Sequence, residues 1–135
     1  MKPARVLGRV RLAVWGLALL GTAYMVWRFD RYSLPEGACS PVLALDPGDR
    51  LLVDTRPPAF AEGDLVLFEG ARGKLLLGAV GAVPASAPAE AWSRVEAGAL
   101  WIVADRPDCP AEDSRFLGPI EPEAIRGRVI FSWGS

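Results

Sequence analysis

Residues 46–69 read DPGDRLLVDTRPPAFAEGDLVLFE. Two short apolar runs, Arg50–Asp54 and Asp64–Glu69, are set off by the turn signals Asp46-Pro47-Gly48-Asp49 and Glu62-Gly63-Asp64. Runs this short, bounded by Gly, Pro and Asp, read as strands rather than helices. The same rhythm continues outward to Lys74–Val83, Ala99–Ala104 and Arg126–Trp133. Pro88–Val95 is the one helical stretch the pattern allows, and Pro84–Pro88 (Pro-Ala-Ser-Ala-Pro) reads as a small-residue loop. No repeat or heptad interrupts the pattern. The expected fold is mainly β, a small antiparallel barrel or folded sheet over residues 29–135.

A different kind of segment precedes it. Leu12 to Trp27 (LAVWGLALLGTAYMVW) is a 16-residue run without a charge, held between Arg11 and Arg28. As a helix it covers roughly 24 Å, a little short of a hydrocarbon core, and flanking arginines with an interfacial Trp27 make up the deficit. A cleaved signal peptide, with Gly21 and Ala23 at the cut, is the rival reading. The anchor reading is preferred because Tyr24-Met25-Val26-Trp27 carries the apolar run past that point. Residues 1–11 would then be cytoplasmic and 12–28 the transmembrane anchor. Four positive charges precede the span, so the positive-inside rule leaves 29–135 outside, on the extracytoplasmic side of an inner membrane.

The chain has 135 residues with Lys+Arg 15 and Asp+Glu 16. Six of the basic groups and one acid fall in residues 1–31, which leaves the remainder at net −6. An acidic domain without a basic stripe argues against nucleic acid as a partner, because the phosphates would repel it. There is no histidine, so His-based triads and His-ligated metals are out, and two cysteines cannot build a structural zinc site. No metal and no cofactor are implied.

Four segments, in order, resemble the membrane-anchored signal peptidase I family of serine proteases (serine peptidase family S26). Pro35-Glu36-Gly37-Ala38-Cys39-Ser40-Pro41-Val42-Leu43 and Gly48-Asp49-Arg50-Leu51-Leu52-Val53 are similar to its P-S-G-S-M-x-P-T-L and G-D-x-x-L-V motifs. Glu62–Phe68 resembles its G-D-I-V-V-F strand, and Gly78–Pro84 its K-R-V-x-x-L-P pattern. The longest match is Leu100–Asp105 with Glu112–Ile120 and Ile125–Phe131. It resembles the block G-D-N, S-x-D-S-R-x-x-G-P-V, I-x-G-x-V-x-F. The resemblance implies an extracytoplasmic β domain and hydrolysis of exported preproteins by a Ser/Lys dyad. There a neutral, desolvated lysine takes the serine proton and backbone N–H groups hold the oxyanion.

The chain departs from the family where that chemistry sits. With Pro41 aligned, the nucleophile position is Ala38; with Pro84 aligned, the base position is Gly78. Ser40 or Ser33 offers a replacement nucleophile, the latter within Ser33-Leu34-Pro35-Glu36-Gly37, and Cys39 a weaker one. Each requires Lys74, the single lysine beyond Lys2, as base. Four residues ahead of Gly78, it would lie about 13 Å away along a strand, on the same face. Asp113, Ser114 and Arg115 match a segment that buttresses the family's site, and their expected role here is structural, with Arg115 pairing Asp113 or capping carbonyls. The resemblance also brings Cys39 and Cys109 together, so a disulfide between them is an expectation. The implied function is a catalytically inactive, membrane-anchored homologue that binds or helps to assemble and process exported polypeptides or signal peptides. Its partners are the membrane and an active signal peptidase or assembly machinery. The alternative is a divergent active peptidase using Ser40 or Ser33 with Lys74.

Overall fold

A computed structural model describes residues 3–35, 40–109 and 112–134. It opens on helix α1 (Pro3–Arg28) and passes with no intervening residue into strand β1 (Phe29–Ser33). Then follow β2 (Arg50–Asp54), β3 (Leu65–Glu69), β4 (Leu75–Val80), α2 (Ala89–Glu96), β5 (Ile102–Val103), α3 (Ser114–Leu117) and β6 (Ile125–Trp133). Within α1, the 23 residues Val6–Arg28 are long and apolar enough to cross a membrane, and none of that window is buried against the protein. The helix starts ahead of residue 12, so Arg5, Arg9 and Arg11 ride on its first turns. It runs unbroken through Gly21 and Ala23.

The six strands form one antiparallel sheet in the order β1-β2-β6-β3-β4-β5. Its ends, β1 and β5, are not paired to each other, so the folded-sheet form of the expectation holds and the closed barrel does not. The expected run Ala99–Ala104 shrinks to two strand residues because its backbone is spent elsewhere. Leu100 exchanges both bonds with Ile120, at 2.8 Å each, and the Ile102 and Ala104 N–H groups go to side chains. Lys74 falls outside β4, because Arg72 and Gly73 take left-handed conformations (φ 64° and 71°) and turn the chain just before it. The register argument that put Lys74 on the face of Gly78 therefore lapses. Neither β1 nor α3 was expected. The helix expected over Pro88–Val95 is α2, with Pro88 as its N-cap.

Alternate side chains along each strand part to two faces. The inner face carries Leu51, Val53, Leu67 and Leu77, which pack with Leu34, Val42 and Leu45 from the β1–β2 connection. The other, here called the outer face, carries Val66 and Phe68, covered by Ile102 and Ile120 with Leu117 and Ile125 around them. A third cluster, Val83, Ala91 and Trp101, seats α2. Phe68 is 0 % exposed at the centre of the outer-face cluster. Phe68→Ala is expected to cost about 4 kcal/mol in a chemical melt; a loss below ~1 kcal/mol would mean that the cluster is not a load on the fold.

At Gly127 the backbone of β6 passes close to β2. A Cβ there would stand 2.5 Å from the Asp54 carbonyl oxygen and 2.5 Å from Val53 Cγ1. Only glycine lets β6 lie this close to β2, one residue beyond the last β2–β6 pair, Asp54 with Arg128.

Candidate functional site

A cleft of about 1420 Å³ opens between β1 and the start of β4. Lys74, Leu77, Pro41, Arg106, Cys109 and Arg115 are among its lining residues. Three of the sequence-flagged residues thus share it: Lys74, Cys109 and Arg115. The nucleophile position Ala38 and its neighbour Cys39 lie outside the described residues.

The remaining flagged residues are not in the cleft. Ser40 is 2 % exposed, and its hydroxyl donates to the Val42 carbonyl at 3.0 Å. Ser33 is exposed and pairs with Arg50 at the far end of β1; the cleft takes Tyr32, Leu34 and Pro35 instead. Gly78, the base position, pairs with Val66 and therefore faces the outer-face core. A Cβ at Gly78 would come within 2.4 Å of Ile102 Cγ2 and 3.2 Å of the Val103 carbonyl oxygen. A side chain at that position points into packed hydrocarbon.

Asp113, Ser114 and Arg115 cover the outer edge of β5. Ser114 Oγ accepts the Ile102 N–H at 2.8 Å, and Asp113 Oδ2 accepts the Ala104 N–H at 3.0 Å. Arg115 Nη2 donates to the Ala104 carbonyl at 3.1 Å and closes on Asp113 at 2.6 Å. Asp113 also caps α3 through the Arg115 N–H. Three consecutive side chains thus stand in for a seventh strand, and they stop the sheet from growing at that end. The Arg115–Asp113 pair anticipated from the sequence is present.

Burial pushes the Asp113 carboxyl up, but the Arg115 guanidinium and the N–H groups of Ala104 and Arg115 outweigh it, so the net shift is downward. Asp54 is held below the ordinary range by Arg28, against burial and with help from the Arg56 N–H. A carboxylate with a depressed folded pKa adds stability above its unfolded value, near 3.9. That stability is lost as pH falls through the lower folded value. The melting temperature is expected to drop steeply below about pH 4, and Asp113→Asn to flatten the drop. Identical acid limbs for the two proteins would contradict this assignment.

The floor of the cleft is a clip between residues 40–46 and 104–109. Leu43 N–H donates to Asp105 Oδ1 at 2.8 Å, Arg106 N–H to the Pro41 carbonyl at 3.2 Å, and Arg106 Nη2 to the Leu45 carbonyl at 3.1 Å. Cys109 is disulfide-bonded, and the sequence holds one other cysteine, Cys39. A non-reducing peptide map is expected to give one cross-linked pair carrying both, separated by reductant. Two free cysteine peptides would contradict it. The role of Arg106 had no signature in the sequence, because an arginine that binds carbonyls needs no partner at fixed spacing.

One edge is left open inside the cleft. β5 pairs only with Ala79 and Val80. The outer backbone edge of Leu75–Gly78 has no strand partner among the described residues, and neither has the free edge of β1. The site therefore offers backbone donors and acceptors beside apolar side chains, and neither Ser33 nor Ser40 is among its lining residues. Among the described residues there is no cluster of acid or cysteine ligands for a metal. Neither protein-family models nor curated proteins give any match to this chain.

Proposed function

We propose that the chain is a membrane-anchored, signal-peptidase-like protein without peptidase activity. It binds exported polypeptides, signal peptides included, in extended form. The observation that carries this reading is the open strand edge that begins at Leu75–Leu77 in the cleft, with the competing edge of β5 blocked by Asp113, Ser114 and Arg115. An extended segment laid along an unpaired strand gains backbone hydrogen bonds without needing a catalytic dyad. The ordered motif resemblance supplies the class of ligand. The unbroken passage of α1 through Gly21 and Ala23 into β1 supports an anchor rather than a cleaved leader. The arginines ahead of the span support an inside N-terminus and an extracytoplasmic domain at the inner membrane. In that setting the protein hands polypeptides to an active signal peptidase or to assembly machinery.

The alternative, a divergent peptidase, has one observation in its favour: Lys74 lines the cleft. The two serines it requires are not among the cleft's lining residues: one is buried with its hydroxyl on the Val42 carbonyl and one sits on an exposed strand end.

Strand addition has a specific signature. Peptides spanning an Ala-x-Ala segment, methylated on successive backbone nitrogens, are expected to bind in an alternating pattern. N-methylation at residues that pair with β4 should weaken binding about tenfold, from the loss of one or two net hydrogen bonds. The intervening positions should be neutral. A flat profile would remove strand addition from the account.

A further inference from the structure

Three cationic side chains line the cleft among the described residues, and two of them are engaged. Arg106 reaches Asp46 at 3.6 Å and the Leu45 carbonyl at 3.1 Å. Arg115 closes on Asp113 at 2.6 Å. Lys74 is the third, and it has no ion pair or side-chain hydrogen bond among the described residues. Two acids line the cleft as well. Asp105 accepts the Leu43 N–H at 2.8 Å, and Glu112, which is exposed, is not within ion-pair distance of Lys74. Arg72, exposed on the turn that precedes Lys74, is likewise without an ion pair. Beyond residue 31 the chain carries net −6, so two unanswered cations on one turn run against the charge of the domain.

Lys74 stands where the open strand edge begins. Its carbonyl accepts the Gly70 N–H at 2.8 Å, and the left-handed Arg72 and Gly73 carry the backbone away behind it. Leu75, Leu76 and Leu77 follow along the cleft, and β5 takes the edge from Ala79 onward. The open stretch is therefore short, about 10 Å of strand, with a cation at one end and a paired strand at the other. Every pairing in the sheet is antiparallel. A chain added to β4 in the same sense runs against it, so its C-terminal end arrives at Lys74.

We propose that Lys74 receives the terminal carboxylate of the polypeptide in the cleft, so that the preferred ligand is an extended chain that ends there. The inference rests on the proposal that the cleft takes an extended polypeptide along β4, and it adds which polypeptide. A free chain end suits the slot twice. Its carboxylate meets the ammonium group, and it has no further backbone in need of partners beyond the turn at Arg72-Gly73. A lysine ammonium acts as a point charge on a flexible stem, so it follows a carboxylate without requiring a fixed fork geometry. Hydrolysis of a peptide bond leaves such a carboxylate on its acyl half, so the reaction that supplies the ligand is an endoproteolytic cut. An Asp or Glu side chain brings the same charge without the chain end.

The test uses the full chain in detergent with a fluorescent peptide ending in Ala-x-Ala, as the free acid and as the C-terminal amide. A third form is an amide whose last residue is glutamate. Anisotropy reads the binding of each to the unaltered chain and to Lys74→Gln, a change at an exposed position that spares the core. The free acid is expected to bind about fivefold tighter than the amide, the upper reach of a solvent-accessible ion pair. Lys74→Gln is expected to bring the two together and to leave the amide unchanged. Equal affinity of free acid and amide for the unaltered chain, or a difference that persists in Lys74→Gln, would overturn the inference and leave strand addition standing. A glutamate-ended amide that matches the free acid, with the same dependence on Lys74, would overturn the chain end as the source of the carboxylate. Failure of all three forms to bind would remove the reading of the cleft itself, and this inference with it.

Discussion

Gly78→Lys is expected to unfold the β domain rather than to switch on a peptidase. The position is where the family resemblance would put the general base, so lysine is the obvious attempt at restoration. A Cβ there meets Ile102 Cγ2 at 2.4 Å, and the side chain would enter the cluster of Val66, Phe68 and Ile102. Overpacking of that kind costs roughly 1–3 kcal/mol. An ammonium group carried into the same hydrocarbon without a partner costs several more, for a total on the order of 4 kcal/mol or above. That is comparable to the whole stability of a small domain. Chemical denaturation of the purified variant should show the loss, and preprotein should stay intact. A folded Gly78→Lys protein that cleaves preprotein would mean that the cleft reaches β4 from the face assigned here to the core.

Asp113→Ala is expected to lower stability by about 3 kcal/mol, because it strands the buried Ala104 N–H and uncaps α3 in one step. The carboxylate is 1 % exposed and accepts from both backbone groups and from the Arg115 side chain. The change also bares the outer edge of β5, so the variant is expected to self-associate as well as to melt early. Light scattering and a denaturant titration read the two effects separately. Serine at position 114 offers a graded comparison: Ser114→Ala removes only the acceptor for the Ile102 N–H, and about 1–2 kcal/mol is expected. An Asp113→Ala protein that is both stable and monomeric would contradict the edge-capping role.

The strands that carry dense apolar runs between turn signals were legible in the sequence. Arg50–Asp54, Asp64–Glu69 and Arg126–Trp133 all appear within a residue of where the punctuation puts them. β1 was hidden because Phe29-Asp30-Arg31-Tyr32-Ser33 is half charged or polar, as suits an edge strand with one face exposed. α3 was hidden because four residues are too few for a helical period to show; its signature is the cap at Asp113, which the sequence reading assigned to support of a site. The open sheet was only partly legible, since closure depends on whether β1 meets β4 and β5, and no local pattern encodes that meeting.

Of the site, the Asp113–Arg115 pairing could be read in advance from adjacent opposite charges. The inward face of Gly78 could not, because face assignment needs the register with Val66 that only the folded sheet provides. Likewise Lys74 was placed on a strand that begins one residue later, beyond a left-handed turn at Arg72-Gly73. A single lysine shifted from strand to turn changes a general-base argument into a rim cation, which shows how finely a dyad depends on register.

The most direct measurement is incubation of the full chain, in detergent, with a preprotein bearing an Ala-x-Ala site, alongside Ser40→Ala and Lys74→Ala variants. The account predicts that all three proteins bind the preprotein and none cleaves it. Cleavage by the unaltered chain that is lost in either variant would contradict the account and establish a peptidase.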